Sequence, residues 1–77
     1  MENRIKMVMS SVFDVDASEI NEESSPDTIV GWDSLKQMSL VLALEEEFKV
    51  TFSDDQTVEM MNYKLIRMVV QEATQKV

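Results

Sequence analysis

An all-α fold, a small four-helix bundle, is predicted for these 77 residues, and three observations predict it. Apolar residues recur at three- and four-residue spacing in three separate stretches, the period of amphipathic helices. Capping residues stand at the starts of two helical segments. The length allows one domain, 1–77, with a modest core, because a chain near this size buries only about 60% of its unfolded surface.

Ile5, Val8, Met9, Val12 and Phe13 follow the i, i+3, i+4, i+7, i+8 pattern, with Arg4, Lys6, Ser10 and Ser11 on the opposite side. A first helix over 2–13 follows, with Ile5, Met9 and Phe13 in the core. Residues 14–32 then form a long polar connection, and loops beyond about 15 residues need anchors or a function. Val15, Ile20, Ile29 and Val30 are the expected anchors. Ser25-Pro26-Asp27 supplies turn chemistry, and Gly31, the only glycine, permits a reversal before the next helix.

The second helix, 34–48, has apolar residues in two stripes. Leu40, Val41, Leu44 and Phe48 make a core face. Leu35, Met38 and Leu42 run down from Ser34 toward Glu45 and Glu46, and an additional apolar stripe points to a hydrophobic docking strip. Ser53 and Gln56 have capping-box spacing, so a short third helix spans 54–61. The last helix, 63–76, places Ile66, Val69, Val70, Ala73 and Val77 on one face. The fold is thus three longer helices and one short one, joined by a long first loop.

Composition narrows the function. Cysteine and histidine are both absent, which removes thiolate metal sites, a cysteine nucleophile and the commonest general base. A self-contained catalytic site is not expected, nor a resident metal. Any thiol chemistry must be brought by a cofactor. Fifteen acidic against seven basic residues give a net charge of −8, a surface that repels nucleic acid and anionic lipid and attracts basic protein patches. No apolar run approaches the roughly 20 residues of a membrane span. A cytoplasmic, monomeric protein is expected, and structured sequence from Met1 onward suggests a discrete one.

Asp14-Val15-Asp16-Ala17-Ser18 begins like a calcium loop. However, Glu19 stands where glycine is needed and Ser25 where a bidentate Glu belongs, so no calcium site is expected. Among the seven methionines, Met9 falls on the core stripe and Met38 on the docking strip. Ordinary packing accounts for them better than a plastic groove does.

The densest chemical signal is Gly31-Trp32-Asp33-Ser34-Leu35 ahead of a helix that ends Leu44-Glu45-Glu46-Glu47-Phe48. Asp33 suits the N-cap, which leaves the Ser34 hydroxyl facing outward at the positive end of the helix dipole. With this motif and helix order, the chain resembles the acyl carrier protein family over nearly its whole length. The resemblance implies 4′-phosphopantetheine attached to Ser34 by a phosphopantetheinyl transferase, with Asp33 helping to position the transferase's magnesium as well as capping the helix. Acyl groups would then ride on that arm as thioesters between fatty-acid, polyketide or specialised biosynthetic enzymes. It further implies that Glu45 and Glu46 dock on basic patches of those enzymes, next to the Leu35, Met38 and Leu42 strip.

Lys36 and Ser39 occupy positions that are acidic in the fatty-acid type of carrier, and Trp32 before Asp-Ser is more typical of discrete carriers in specialised pathways. Aminoacyl, D-alanyl and peptidyl carriers share the same serine and bundle. A cofactor-free acidic adaptor, binding a partner helix through the Leu35–Leu42 strip, is the reading from another class.

Overall fold

A computed structural model describes residues 2–75. Among the described residues it contains four α-helices and no strand: α1, Glu2–Phe13; α2, Ser34–Phe48; α3, Asp54–Glu59; and α4, Tyr63–Gln75. The four-helix expectation holds, with α3 ending at Glu59 instead of residue 61. The chain leaves helical geometry at Met60 (φ −82°, ψ 60°), whose side chain is fully buried. Val77, expected on the last helix, lies outside the described residues.

Two helix ends use left-handed residues other than glycine, which the sequence did not foretell. Asp14 (φ 56°) and Lys49 (φ 57°) turn the chain away from α1 and α2. In both cases the following amide reaches back five residues, Val15 N–H to the Ser10 carbonyl at 3.2 Å and Val50 N–H to the Glu45 carbonyl at 3.1 Å. These bonds satisfy carbonyls that the helix end would otherwise leave open.

The core is drawn from α1, α2 and α4, and α3 buries none of its own residues. Ile5, Met9 and Phe13 of α1 meet Leu40 and Leu44 of α2 and Tyr63, Ile66, Val69 and Val70 of α4. Val41 and Phe48, expected on the same face of α2, are half-buried at its margin. Apolar burial at roughly 25 cal/mol per Å² is the main term holding so small a bundle together.

The long first loop is tied down at several points. A short 3-10 turn at Ala17–Glu19 opens it, and the Asp16 carboxylate caps that turn while Glu19 bonds back to the Asp16 amide. Hydrogen bonds from the Ser18 backbone and hydroxyl hold the Asp16 carboxyl below its ordinary pKa. Ile20 and Ile29 are buried, and Val15 is half-buried. Ser24 is buried too, and its carbonyl accepts the Tyr63 N–H at 2.9 Å, which joins the loop to the start of α4. From α4, Arg67 reaches Glu22 of the loop at 2.7 Å and Glu2 of α1 at 4.0 Å.

Val30 is a correction. It is 91% exposed, whereas Trp32 is 6% exposed and serves as the anchor instead. Gly31 lies between them at φ +91°, and its turn sends the one side chain out and the other in.

The Tyr63 phenol sits near Glu2, donating to its carboxylate at 3.4 Å. Burial, and secondarily the Glu2 charge, push its pKa above the ordinary tyrosine value. The folded state therefore holds this proton more tightly than the unfolded chain does. Its stabilising contribution is complete below the unfolded pKa of about 10 and is lost as pH rises through the folded value. Because this is the only tyrosine, phenolate absorbance reads it alone. An alkaline titration of the folded protein should show a midpoint above that of the urea-unfolded protein, and coincident midpoints would refute the assignment.

Candidate functional site

The start of α2 is built from a tight sequence of local bonds. The Trp32 N–H donates to the Ile29 carbonyl at 3.3 Å, and the Asp33 N–H donates to the Gly31 carbonyl at 3.0 Å. Asp33 is extended (φ −119°, ψ −173°), and its carboxylate accepts the Lys36 N–H at 2.9 Å. Its carbonyl accepts the Gln37 N–H at 2.8 Å, the first bond of the helix. This is the N-cap geometry expected from the sequence.

Gly31 sits where the turn needs positive φ, and nothing lies within 4 Å of the position a Cβ would take. The cost of a side chain there is therefore one of backbone strain, not of collision. Gly31→Ala should destabilise the protein by about 1–2 kcal/mol, the usual penalty for a left-handed L-residue. Urea denaturation measures it, and an unchanged midpoint would show that the turn can relax.

Ser34 occupies the first helical position, exposed, and its hydroxyl makes no hydrogen bond among the described residues. Its amide and that of Leu35 are orphan donors at the positive end of α2. The Lys36 ammonium is carried in the same first turn. An exposed hydroxyl, two open N–H groups and a nearby cation form a donor set suited to an attached phosphodiester.

Leu35, Met38 and Leu42 are 76%, 64% and 62% exposed, so the second stripe of α2 faces outward as expected. Beside it an open groove of about 1070 Å³ runs from Ser34 between α2 and α3. Its apolar lining includes Met38, Val41, Leu42, Val58, Met61 and Leu65.

The three glutamates at the end of α2 divide by task. Glu45 is half-buried, and its carboxylate accepts the Phe52 N–H at 2.8 Å. Glu47 pairs with Arg4 of α1 at 2.9 Å. Of the three, only the Glu46 side chain makes no hydrogen bond or ion pair among the described residues. Glu45 thus fastens the segment ahead of α3, a structural task invisible in a run of three acids. Lys36 and Ser39 are both exposed on the same helix.

Sequence reasoning assigned no structural role to Trp32 or to Gln37. The Trp32 ring lies against Phe13 at 4.8 Å between centroids, and its indole N–H donates to the Gln37 side-chain oxygen at 2.6 Å. The Gln37 amide nitrogen in turn donates to the Met60 carbonyl at 2.8 Å. A tryptophan beside the only glycine was the one available signal. Among the described residues no cluster of acidic side chains could hold a metal ion, and no helix is long and apolar enough to cross a membrane.

A helical scaffold that presents a bare serine at a helix start, beside an apolar groove, is arranged to carry a group. The chain belongs to the phosphopantetheine attachment site family, whose profile matches residues 3–72. It is also similar to the holo acyl carrier protein of Geobacter metallireducens, solved in solution. The identity is 25%, the TM-score 0.87, and the match covers 97% of this chain and 86% of that one. It is accordingly an acyl-carrier-type protein, non-catalytic, of the class that bears covalent 4′-phosphopantetheine and works with phosphopantetheinyl transferases and biosynthetic enzymes.

Proposed function

We propose that Ser34 is the attachment residue and that the protein carries acyl intermediates as thioesters on its 4′-phosphopantetheine arm, in the cytoplasm, as a single-domain monomer. The observation that carries this reading is the Ser34 hydroxyl, exposed and unbonded at the first position of α2. Asp33 caps the helix behind it, so the serine is not needed as a cap. The helix dipole would stabilise the phosphodiester by about 0.3–1 kcal/mol, and Lys36 adds a cation in the same turn. The arm supplies the thiol that a chain without cysteine lacks. Tethering raises the effective concentration of the cargo at a partner's active site without any new contact.

Leu35, Met38 and Leu42 form the docking strip for partner enzymes, with Glu46 as its accessible acid and Glu45 beside it. Basic patches on those enzymes complement the net charge of −8. Lys36 and Ser39 set this surface apart from one acidic throughout, which favours partners in a specialised pathway over standard fatty-acid enzymes. The apolar lining of the α2–α3 groove favours acyl cargo over aminoacyl or peptidyl cargo.

Incubation with coenzyme A and a transferase of broad tolerance should add the mass of one phosphopantetheine. An unchanged mass with several such transferases would overturn the reading. Charging of the holo protein by a panel of acyl and amino-acid ligases separates the cargo classes. Exclusive loading with an amino acid would replace the acyl assignment.

A further inference from the structure

α3 is held to α2 at both of its ends by α2 side chains. Glu45 accepts the Phe52 N–H just before α3, at 2.8 Å. Gln37 donates to the carbonyl of Met60, the C-cap of α3, also at 2.8 Å. Gln37 differs from Glu45 in having a second bond in the opposite direction, since its oxygen accepts the Trp32 indole N–H at 2.6 Å. Trp32 belongs to the turn that delivers Ser34, and its ring is already fixed on Phe13 of α1. One half-buried amide therefore ties the serine turn to the end of α3.

We infer that Gln37 is a positioning residue for modification of Ser34. Its amide locks the Trp32 indole, and through it the Gly31–Asp33 turn, so that the Cα–Cβ bond of Ser34, which carries the hydroxyl, is held in one place and direction. This rests on Ser34 being the attachment residue. Attack of that hydroxyl on the β-phosphorus of coenzyme A forms the phosphodiester and releases 3′,5′-adenosine bisphosphate, with the serine proton passing to a base of the transferase. The step depends on orientation, and small misplacement of a reacting atom costs up to about 100-fold. Gln37 touches neither reactant. Its loss leaves the docking strip of Leu35, Met38 and Leu42 unchanged, so the loss should fall on kcat and spare KM.

The test uses the apo full-length chain, coenzyme A and a transferase of broad tolerance. Gln37→Leu keeps the side-chain size and removes both bonds. It should lower kcat about tenfold, hold KM for the carrier within about twofold, and speed hydrogen exchange at the Trp32 indole and at the Met60 and Met61 amides. Gln37→Glu retains the acceptor for Trp32 and loses the donor to Met60. It should recover most of kcat while the Met60 and Met61 amides still exchange fast. Trp32→Phe removes the indole N–H together with the five-membered ring that carries it, serves if Gln37→Leu fails to fold, and when added to Gln37→Leu should slow modification by less than the two single changes combined.

Wild-type kcat in Gln37→Leu with fast indole exchange would overturn the inference, as would a raised KM at unchanged kcat. A wild-type protein that takes up no phosphopantetheine would overturn the attachment reading itself, and this inference with it.

Discussion

Ser34→Ala should abolish phosphopantetheine addition and leave the bundle as stable as before. Loss of reaction is expected because the hydroxyl at the head of α2 is gone. Retained stability follows from what that hydroxyl does in the folded protein. It accepts and donates no hydrogen bond among the described residues, and the N-cap is Asp33, not Ser34. Alanine is the strongest helix former, and surface changes away from caps and cores stay within about 0.5 kcal/mol. Intact mass after incubation with coenzyme A and transferase reads the first effect, and urea denaturation reads the second. Ser39→Ala, altering an exposed serine further along α2, should still take up one arm. Mass gain on Ser34→Ala would move the attachment elsewhere. An unmodified Ser34→Ala variant that keeps full function in the cell would instead favour the cofactor-free adaptor.

The parts of this protein legible in its sequence are those governed by local physics. Helix periodicity placed α1, α2 and α4 because side chains three and four residues apart share a face whatever the fold. Asp33 and the Ser53–Gln56 box were readable because a cap bonds only to its own first turn, here Asp33 to the Lys36 N–H and Ser53 to the Gln56 N–H. The exposed strip from Leu35 to Leu42 came from the same periodicity.

What escaped the sequence depends on partners far away in the chain. Gln37 reads as an ordinary polar helix residue until the fold brings the Met60 carbonyl to its amide. Glu45 and Glu47 look like a solvated helix end, yet they bond Phe52 and Arg4. Val30 and Trp32 are both apolar loop residues, and the φ of Gly31 decides which of them faces the core. Period-based reasoning has no purchase inside such a loop, because consecutive side chains follow no regular rotation.

Trp32→Ala carries the second large effect, on stability. The ring is 6% exposed, packs on Phe13 at 4.8 Å and holds Gln37 through its indole N–H. Truncating a buried tryptophan typically costs about 3–5 kcal/mol in lost transfer energy and cavity formation. Whole domains are stable by only about 5–15 kcal/mol, and a chain this short lies toward the lower end. The variant should therefore unfold at a much lower urea concentration, and a substantial fraction should be unfolded near physiological temperature. Trp32→Phe is the milder change. It keeps a smaller aromatic ring against Phe13 but forfeits the bond to Gln37 and the buried five-membered ring, so it should lose about 1–3 kcal/mol. If Trp32→Ala instead costs less than about 1 kcal/mol, the cavity must collapse freely around Phe13. In that event Ile20 and Ile29, not the indole, hold the long loop to the bundle, and the serine turn owes its order to Asp33 and the helix alone.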